Sequence, residues 1–200
     1  MTKDATIREI HHRVKNNLQT VSALLRLQSR RSDEDAVKVA LAEAERRVQA
    51  IATVHAALSQ NVDESVDFDE VARTIVRMAG AIASTDHAVE VITTGTFGTI
   101  SADQAQALAT VLNELVANSV EHGLADRDGR IEVCAQRDNL SMKVTVADDG
   151  VGFVPGTPMS GLGTQIVHQM VRGELRGSIE WAPREGGGTL VTLLINLDPA

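Results

Sequence analysis

The first third of the chain holds almost no helix breakers, and its apolar residues keep helical spacing throughout. From Ile7 they recur at Ile10, Val14, Leu18, Val21, Leu24 and Leu25, steps of three and four that line a helix face. Ser32-Asp33 suits a turn or an N-cap, and a second run follows at Val37, Leu41, Ala44, Val48, Ile51 and Leu58. Such a stretch folds as two long helices joined by a short loop, an αα-hairpin. A lone hairpin would leave its apolar seam in water. Two copies about a two-fold axis bury it as a four-helix bundle, so a homodimer is expected.

After residues 61–65 the pattern changes. Segment 66–68 reads as a short strand, 69–83 as a helix and 89–93 as an alternating strand. Ser101-Ala102-Asp103-Gln104 has the form of a capping box, opening a helix that ends near His122-Gly123. Segments 131–136 and 140–147 flank Arg137-Asp138-Asn139 as a hairpin. A Gly/Pro-rich loop over 149–160 precedes a helix opening at Gly161-Leu162-Gly163, and strands follow at 178–181 and 189–197. Helices and strands mix without a strict βαβ rhythm, which predicts an α+β class with helices on one face of a mixed sheet. The expected division is a helical hairpin over 1–62 and an α+β domain over 63–200.

Composition removes several classes. With one Trp, three Phe and no Tyr, the core must be Val, Ile, Leu and Ala, and stacking platforms for single-stranded nucleic acid are largely absent. The net charge of −8 disfavours phosphate backbones, so no direct nucleic-acid partner is expected. That charge is uneven: residues 1–31 carry +5 and the remainder −13. The single Cys134 excludes an intrachain disulfide and cannot build a zinc site alone. No run approaches a membrane span and Met1-Thr2-Lys3-Asp4 is unlike a signal peptide, so a cytoplasmic protein is expected.

Five polar clusters carry possible chemistry. With Ile7, Val14 and Val21 at heptad position a, His11 falls at e and His12 at f, pointing away from the partner helix. Glu9 and Asn16 flank His12 one turn either way. Such an exposed imidazole is competent as a nucleophile or proton carrier, although on this segment alone an ordinary solvated histidine is the commoner case. Glu114, Asn118 and His122 (or Glu121) stand at i, i+4 and i+8, where Asn118 suits an Mg²⁺ completed by phosphates and a polar outer face is the bland alternative. Asp148 ends an apolar strand before Gly150 and Gly152, a geometry suited to adenine's amino group or to a plain turn. Gly161-Leu162-Gly163-Thr164 opens a helix as an anion site, but matches neither a Rossmann nor a Walker A pattern. Gly186-Gly187-Gly188-Thr189 places a hydroxyl where it can back up Asp148, or makes a hairpin only.

Taken in order, these clusters resemble the ATP-binding superfamily shared by gyrase, a heat-shock chaperone, MutL and the histidine kinases. The resemblance implies a GHKL-type α/β sandwich in which Asn118 is the Mg²⁺ ligand and Asp148 reads adenine. Gly150 and Gly152 match the first glycine box, Gly161 and Gly163 the second, with Thr164 beside it, and Thr189 the adenine-side threonine. Upstream, residues 9–19 resemble the phosphoacceptor box of the second HisKA subtype, related to the HWE kinases, in which the histidine directly before Arg is phosphorylated: here His12. The implied protein is a sensor histidine kinase core that uses ATP and Mg²⁺, dimerises through its hairpin and phosphorylates a response-regulator aspartate. It is most similar to soluble actinobacterial kinases that signal to ANTAR-type, RNA-binding regulators, and its basic first helix suits an acidic regulator face.

Departures from that pattern matter. Glu121 stands where many histidine kinases carry Lys, leaving the phosphate-facing cation open, with His122 a candidate. Thr164 replaces a usual Leu, and Arg13 stands where other subtypes place an acid, so Glu9 is expected to orient His12. Glu114 matches the water-activating glutamate of hydrolytic relatives, which keeps an ATPase as the alternative, beside a non-catalytic phosphotransfer scaffold. A hinge near 60–66 would bring His12 to a nucleotide held between the Asn118 helix and a 149–160 lid.

Overall fold

The computed structural model describes residues 3–59, 65–82, 87–124, 127–153 and 161–198. In chain order the elements are α1 (Lys3–Arg31), α2 (Asp35–Leu58), β1 (Ser65–Asp67), α3 (Phe68–Ile82), β2 (Val89–Gly95), β3 (Thr99–Ser101) and α4 (Ala102–Asn118). A π-helical turn (Ser119–Leu124) follows, then β4 (Gly129–Arg137), β5 (Ser141–Asp148), α5 (Leu162–Arg172), β6 (Ser178–Pro183) and β7 (Thr189–Asn196).

α1 and α2 pack antiparallel. The seam of α1 facing α2 runs through Val14, Leu18, Ser22 and Leu25, while Ile10, Val21 and Leu24 stay exposed. The single heptad frame therefore splits into two neighbouring faces, one covered by α2 and one open. His11 lies in the covered seam rather than beside it, with its Nδ1 3.1 Å from Nδ1 of His55. Near the middle of the hairpin, Gln49 donates to Ser22 Oγ at 2.6 Å and Arg26 pairs with Glu45. The turn before α2 uses Ser32 Oγ to accept the Glu34 N–H at 3.2 Å, so Glu34 and not Ser32-Asp33 takes the N-cap position.

The main sheet has strand order β2-β4-β5-β7-β6, with β2 parallel to β4 and the other pairs antiparallel. Alternate residues Ile131, Val133, Met142, Val144, Val146, Val191, Leu193 and Ile195 are buried on one face, the two-residue period of a half-covered sheet. The helices α3, α4 and α5 cover that face, giving the expected α+β sandwich. α4 is the central helix, buried at nearly every position from Gln104 to Ala117 because sheet and helices surround it. α2 joins the same core through Ala50, Val54 and Leu58.

Three local features differ from the sequence reading. The three-residue β3, which pairs with β1, is too short to show a period. Half of the capping box forms: Ser101 Oγ accepts the Gln104 N–H at 3.4 Å, but the Gln104 side chain crosses to the Asn196 carbonyl at 2.7 Å. The long helix leaves α geometry after Asn118 and widens into the π-turn. Among the described residues no helix is long and apolar enough to cross a membrane.

Candidate nucleotide site and phosphoacceptor

A cavity of about 360 Å³ opens where the end of α4, the π-turn, the start of α5 and the strands β5 and β7 meet, with α2 along one side. Asp148 ends β5 and is 2% exposed. Its Oδ1 accepts the N–H of Gly150 at 3.0 Å and of Thr189 at 3.1 Å, while Oδ2 takes no hydrogen bond from the described residues. One oxygen is thus anchored by the backbone and the other is left for a ligand donor. Support for Asp148 from Thr189 comes from the backbone N–H, not the expected hydroxyl.

This packing needs bare backbone. A methyl group at Gly150 would collide with the Gly123 carbonyl, and one at Gly123 would come within 2.8 Å of the Asp148 carboxyl carbon. The π-turn brings Gly123 there, and its carbonyl accepts the Val151 N–H at 2.8 Å. Single π-turns inside α-helices concentrate at functional sites, and this one shapes the floor beneath Asp148. Gly150 works below the surface and does not itself line the cavity, whereas Gly152, Gly161, Gly163, Thr164 and Thr189 do.

Asn118 and His122 also line the cavity, and the Asn118 amide makes no hydrogen bond to another described residue. No group of three His, Cys, Asp or Glu side chains suited to a metal occurs among the described residues. A free neutral oxygen at the cavity fits an ion that takes most of its ligands from phosphates and water. Glu114 is different. Only 8% exposed at its side chain, it accepts Arg47 Nε at 2.8 Å and Arg47 Nη2 at 2.9 Å, so its carboxylate is paired and not free to activate water. The bidentate bond to Glu114 raises the Arg47 pKa above its ordinary value against the opposing effect of burial.

Arg47, its neighbour Arg46 and Glu43 reach the cavity from α2, which the sequence reading did not anticipate. Within Glu43-Ala44-Glu45-Arg46-Arg47 they look like a solvated helix face, and nothing local marks them. Only the docking of α2 against α4 turns them inward.

His12 stands apart from the cavity, exposed on α1. It follows Ile10 by two residues, about 200° around the helix, so it points away from the open apolar face. The His12 Nδ1 lies 3.3 Å from Asn16 Nδ2. Glu9 does not approach the imidazole as expected: its Oε1 accepts Arg13 Nε at 3.0 Å and Nη2 at 2.6 Å. The cation at i+4 offers that carboxylate a two-point charged bond, stronger than one to a neutral ring. His11 meets His55 nine residues beyond Arg46, so the level of His12 lies about 14 Å along α2 from the cavity. Most of the expected lid, residues 154–160, and of the expected hinge, residues 60–64, lie outside the described residues.

Comparison with known proteins agrees with both halves. Residues 9–82 match the family described as histidine kinase, and residues 103–199 the family described as histidine kinase-, DNA gyrase B-, and HSP90-like ATPase. The chain is 44% identical over 200 residues to the sensor histidine kinase PdtaS of Mycobacterium tuberculosis, covering 98% of the chain and 40% of that protein. It is 28% identical over 206 residues to blue-light-activated histidine kinase 2 of Erythrobacter litoralis, covering 97% of the chain and 58% of that protein. The chain thus spans about two fifths to three fifths of these relatives. The histidine kinase domain of the E. litoralis EL346 blue-light-activated kinase superposes with a TM-score of 0.67 over 97% of this chain and 92% of that one, at 24% identity, a likeness of fold. The helical segment and the α/β sandwich match in the same order, and the chain belongs to the histidine kinase family, with a HisKA_2-type segment followed by a GHKL-type ATPase domain.

Proposed function

We propose that the chain binds ATP with Mg²⁺, phosphorylates its own His12 and passes the phosphoryl group to an aspartate of a response-regulator receiver domain in the cytoplasm. The carrying observation is the half-anchored Asp148 carboxylate, open to a cavity in a chain that also presents an outward imidazole. Asp148 Oδ2 accepts the adenine amino group, and the N-terminus of α5, bared by Gly161 and Gly163, receives phosphate oxygens. Asn118 holds Mg²⁺, which offsets charge on the phosphates.

At the phosphoacceptor, Asn16 sets the ring. An amide turned to present its carbonyl accepts the Nδ1–H of His12, which leaves the Nε2 lone pair as the nucleophile. Nε2 attacks the γ-phosphorus, the bond to the β–γ bridging oxygen breaks, and ADP leaves. Phosphoryl transfer is mostly positioning and electrostatics, so the 14 Å offset demands movement between a hairpin unit, 1–62, and a nucleotide-binding unit, 63–200. Two hairpins associate through the open faces of α1, and the basic first helix receives an acidic receiver, of the ANTAR-coupled type. The hydrolytic alternative through Glu114 is disfavoured, since Arg47 holds that carboxylate.

Incubation with γ-labelled ATP and Mg²⁺ tests the reading. An acid-labile, base-stable label is expected on the unsubstituted chain and absent from His12→Gln and Asp148→Asn. Label retained on His12→Gln overturns the phosphoacceptor assignment.

A further inference from the structure

The nucleotide cavity is short of positive charge on its own side. The helix and turn that form its floor, residues 102–124, contain no Lys or Arg. In α5 the one such residue is Arg172, in the last turn, at the end opposite the glycines. Four carboxylates, Glu43, Glu114, Glu121 and Asp148, line the cavity with two guanidinium groups, and both of those come from α2. An anionic triphosphate entering this site meets a net negative wall unless one arginine turns to it.

The two arginines are not equivalent. Arg47 is committed, with Nε and Nη2 on Glu114 and Nη2 also 3.4 Å from Glu43. Arg46 makes one ion pair, Nη2 to Glu121 Oε1 at 2.8 Å, while its Nε is buried with no hydrogen-bond partner. Leaving a guanidinium donor buried and unpaired is unfavourable, and a planar fork is best satisfied by two oxygens at once. Glu121, by contrast, is 36% exposed at its side chain and can return to water. Arg46 lines the same cavity as Gly161 and Gly163 at the start of α5.

We propose that Arg46, carried on the phosphoacceptor hairpin, is the cation that faces the terminal phosphates of the nucleotide, exchanging Glu121 for phosphate oxygens. The assignment rests on the ATP-binding reading above. Glu121 then acts as a place-holder that keeps Arg46 aimed into the cavity before the nucleotide arrives. The nucleotide site is completed by a residue from the very hairpin that is to be phosphorylated, so occupancy and hairpin position are linked.

Titration calorimetry of the full chain with ATP and with AMP, in Mg²⁺ and in a His12→Gln background that prevents transfer, tests this. Arg46→Gln is expected to weaken ATP by about tenfold or more, the scale of a charge-assisted bidentate contact, and to leave AMP unchanged. Glu121→Gln is expected to tighten ATP, and that gain to vanish when combined with Arg46→Gln. A pair that merely latches α2 to the π-turn would make both single substitutions act in the same direction. That result overturns the assignment, as does equal loss of AMP and ATP, unchanged ATP affinity in Arg46→Gln, or a Glu121→Gln gain that persists in the double variant. If the chain with only His12→Gln binds no ATP, the nucleotide reading itself fails, a result distinct from failure of Arg46 alone.

Discussion

His11 and His55 meet across the hairpin with Nδ1 atoms 3.1 Å apart, an arrangement that requires one ring to donate and the other to accept. Burial, and next the charge of His11, lowers the His55 pKa from its ordinary 6.5. Above that value His55 is neutral whether folded or unfolded, and the hairpin has its full stability. As pH falls below it the unfolded chain takes up the proton more readily, so stability declines. The melting temperature is therefore expected to fall between about pH 7.5 and 5.5, and His55→Gln to flatten the dependence. An equal slope in both proteins would locate the effect elsewhere. At this scale the sequence was legible in the residues that converge on one cavity, Asp148, Asn118 and Gly163. It was least legible where partners come from distant elements. Glu9 has a better partner at i+4 in Arg13, and Arg46 and Arg47 gain their meaning only once α2 lies on α4.

Among the elements, α1 carries the clearest unmet demand. Ile10 at 52% and Leu24 at 53% exposure, with Val21 between them, form an apolar strip beside the face that α2 already covers. Leu24→Asp should turn a dimeric species into a monomeric one in sedimentation equilibrium while leaving the helical circular dichroism of the folded chain in place. A variant that stays dimeric would assign the association to another surface. The three-and-four spacing made the helices readable, yet it merged these two faces into one stripe, because spacing alone cannot separate neighbouring sides of a cylinder. The π-turn left no trace in composition: Ser119–Leu124 shifts a hydrogen-bonding step, and only Gly123, placed against Asp148, hints at why.

Across the whole molecule, hairpin and sandwich share a core instead of touching at a rim. Arg47 and Glu114 tie them with a largely buried ion pair, which makes the pair sensitive to losing one member. Arg47→Met leaves a carboxylate stranded and is expected to lower stability by about 3 kcal/mol, whereas Arg47→Met with Glu114→Met should recover most of that loss. Chemical denaturation of the three variants measures it, and simple additivity would mean that the two side chains do not act as a unit. Val54 and Leu58 extend the same junction with purely apolar contacts. A catalytic fragment trimmed to start at residue 63 would thus be born with an open flank, greasy where the second helix had lain and prone to clump through it. Any movement that swings the hairpin away must wet that flank too, so its cost is set by a handful of aliphatic side chains.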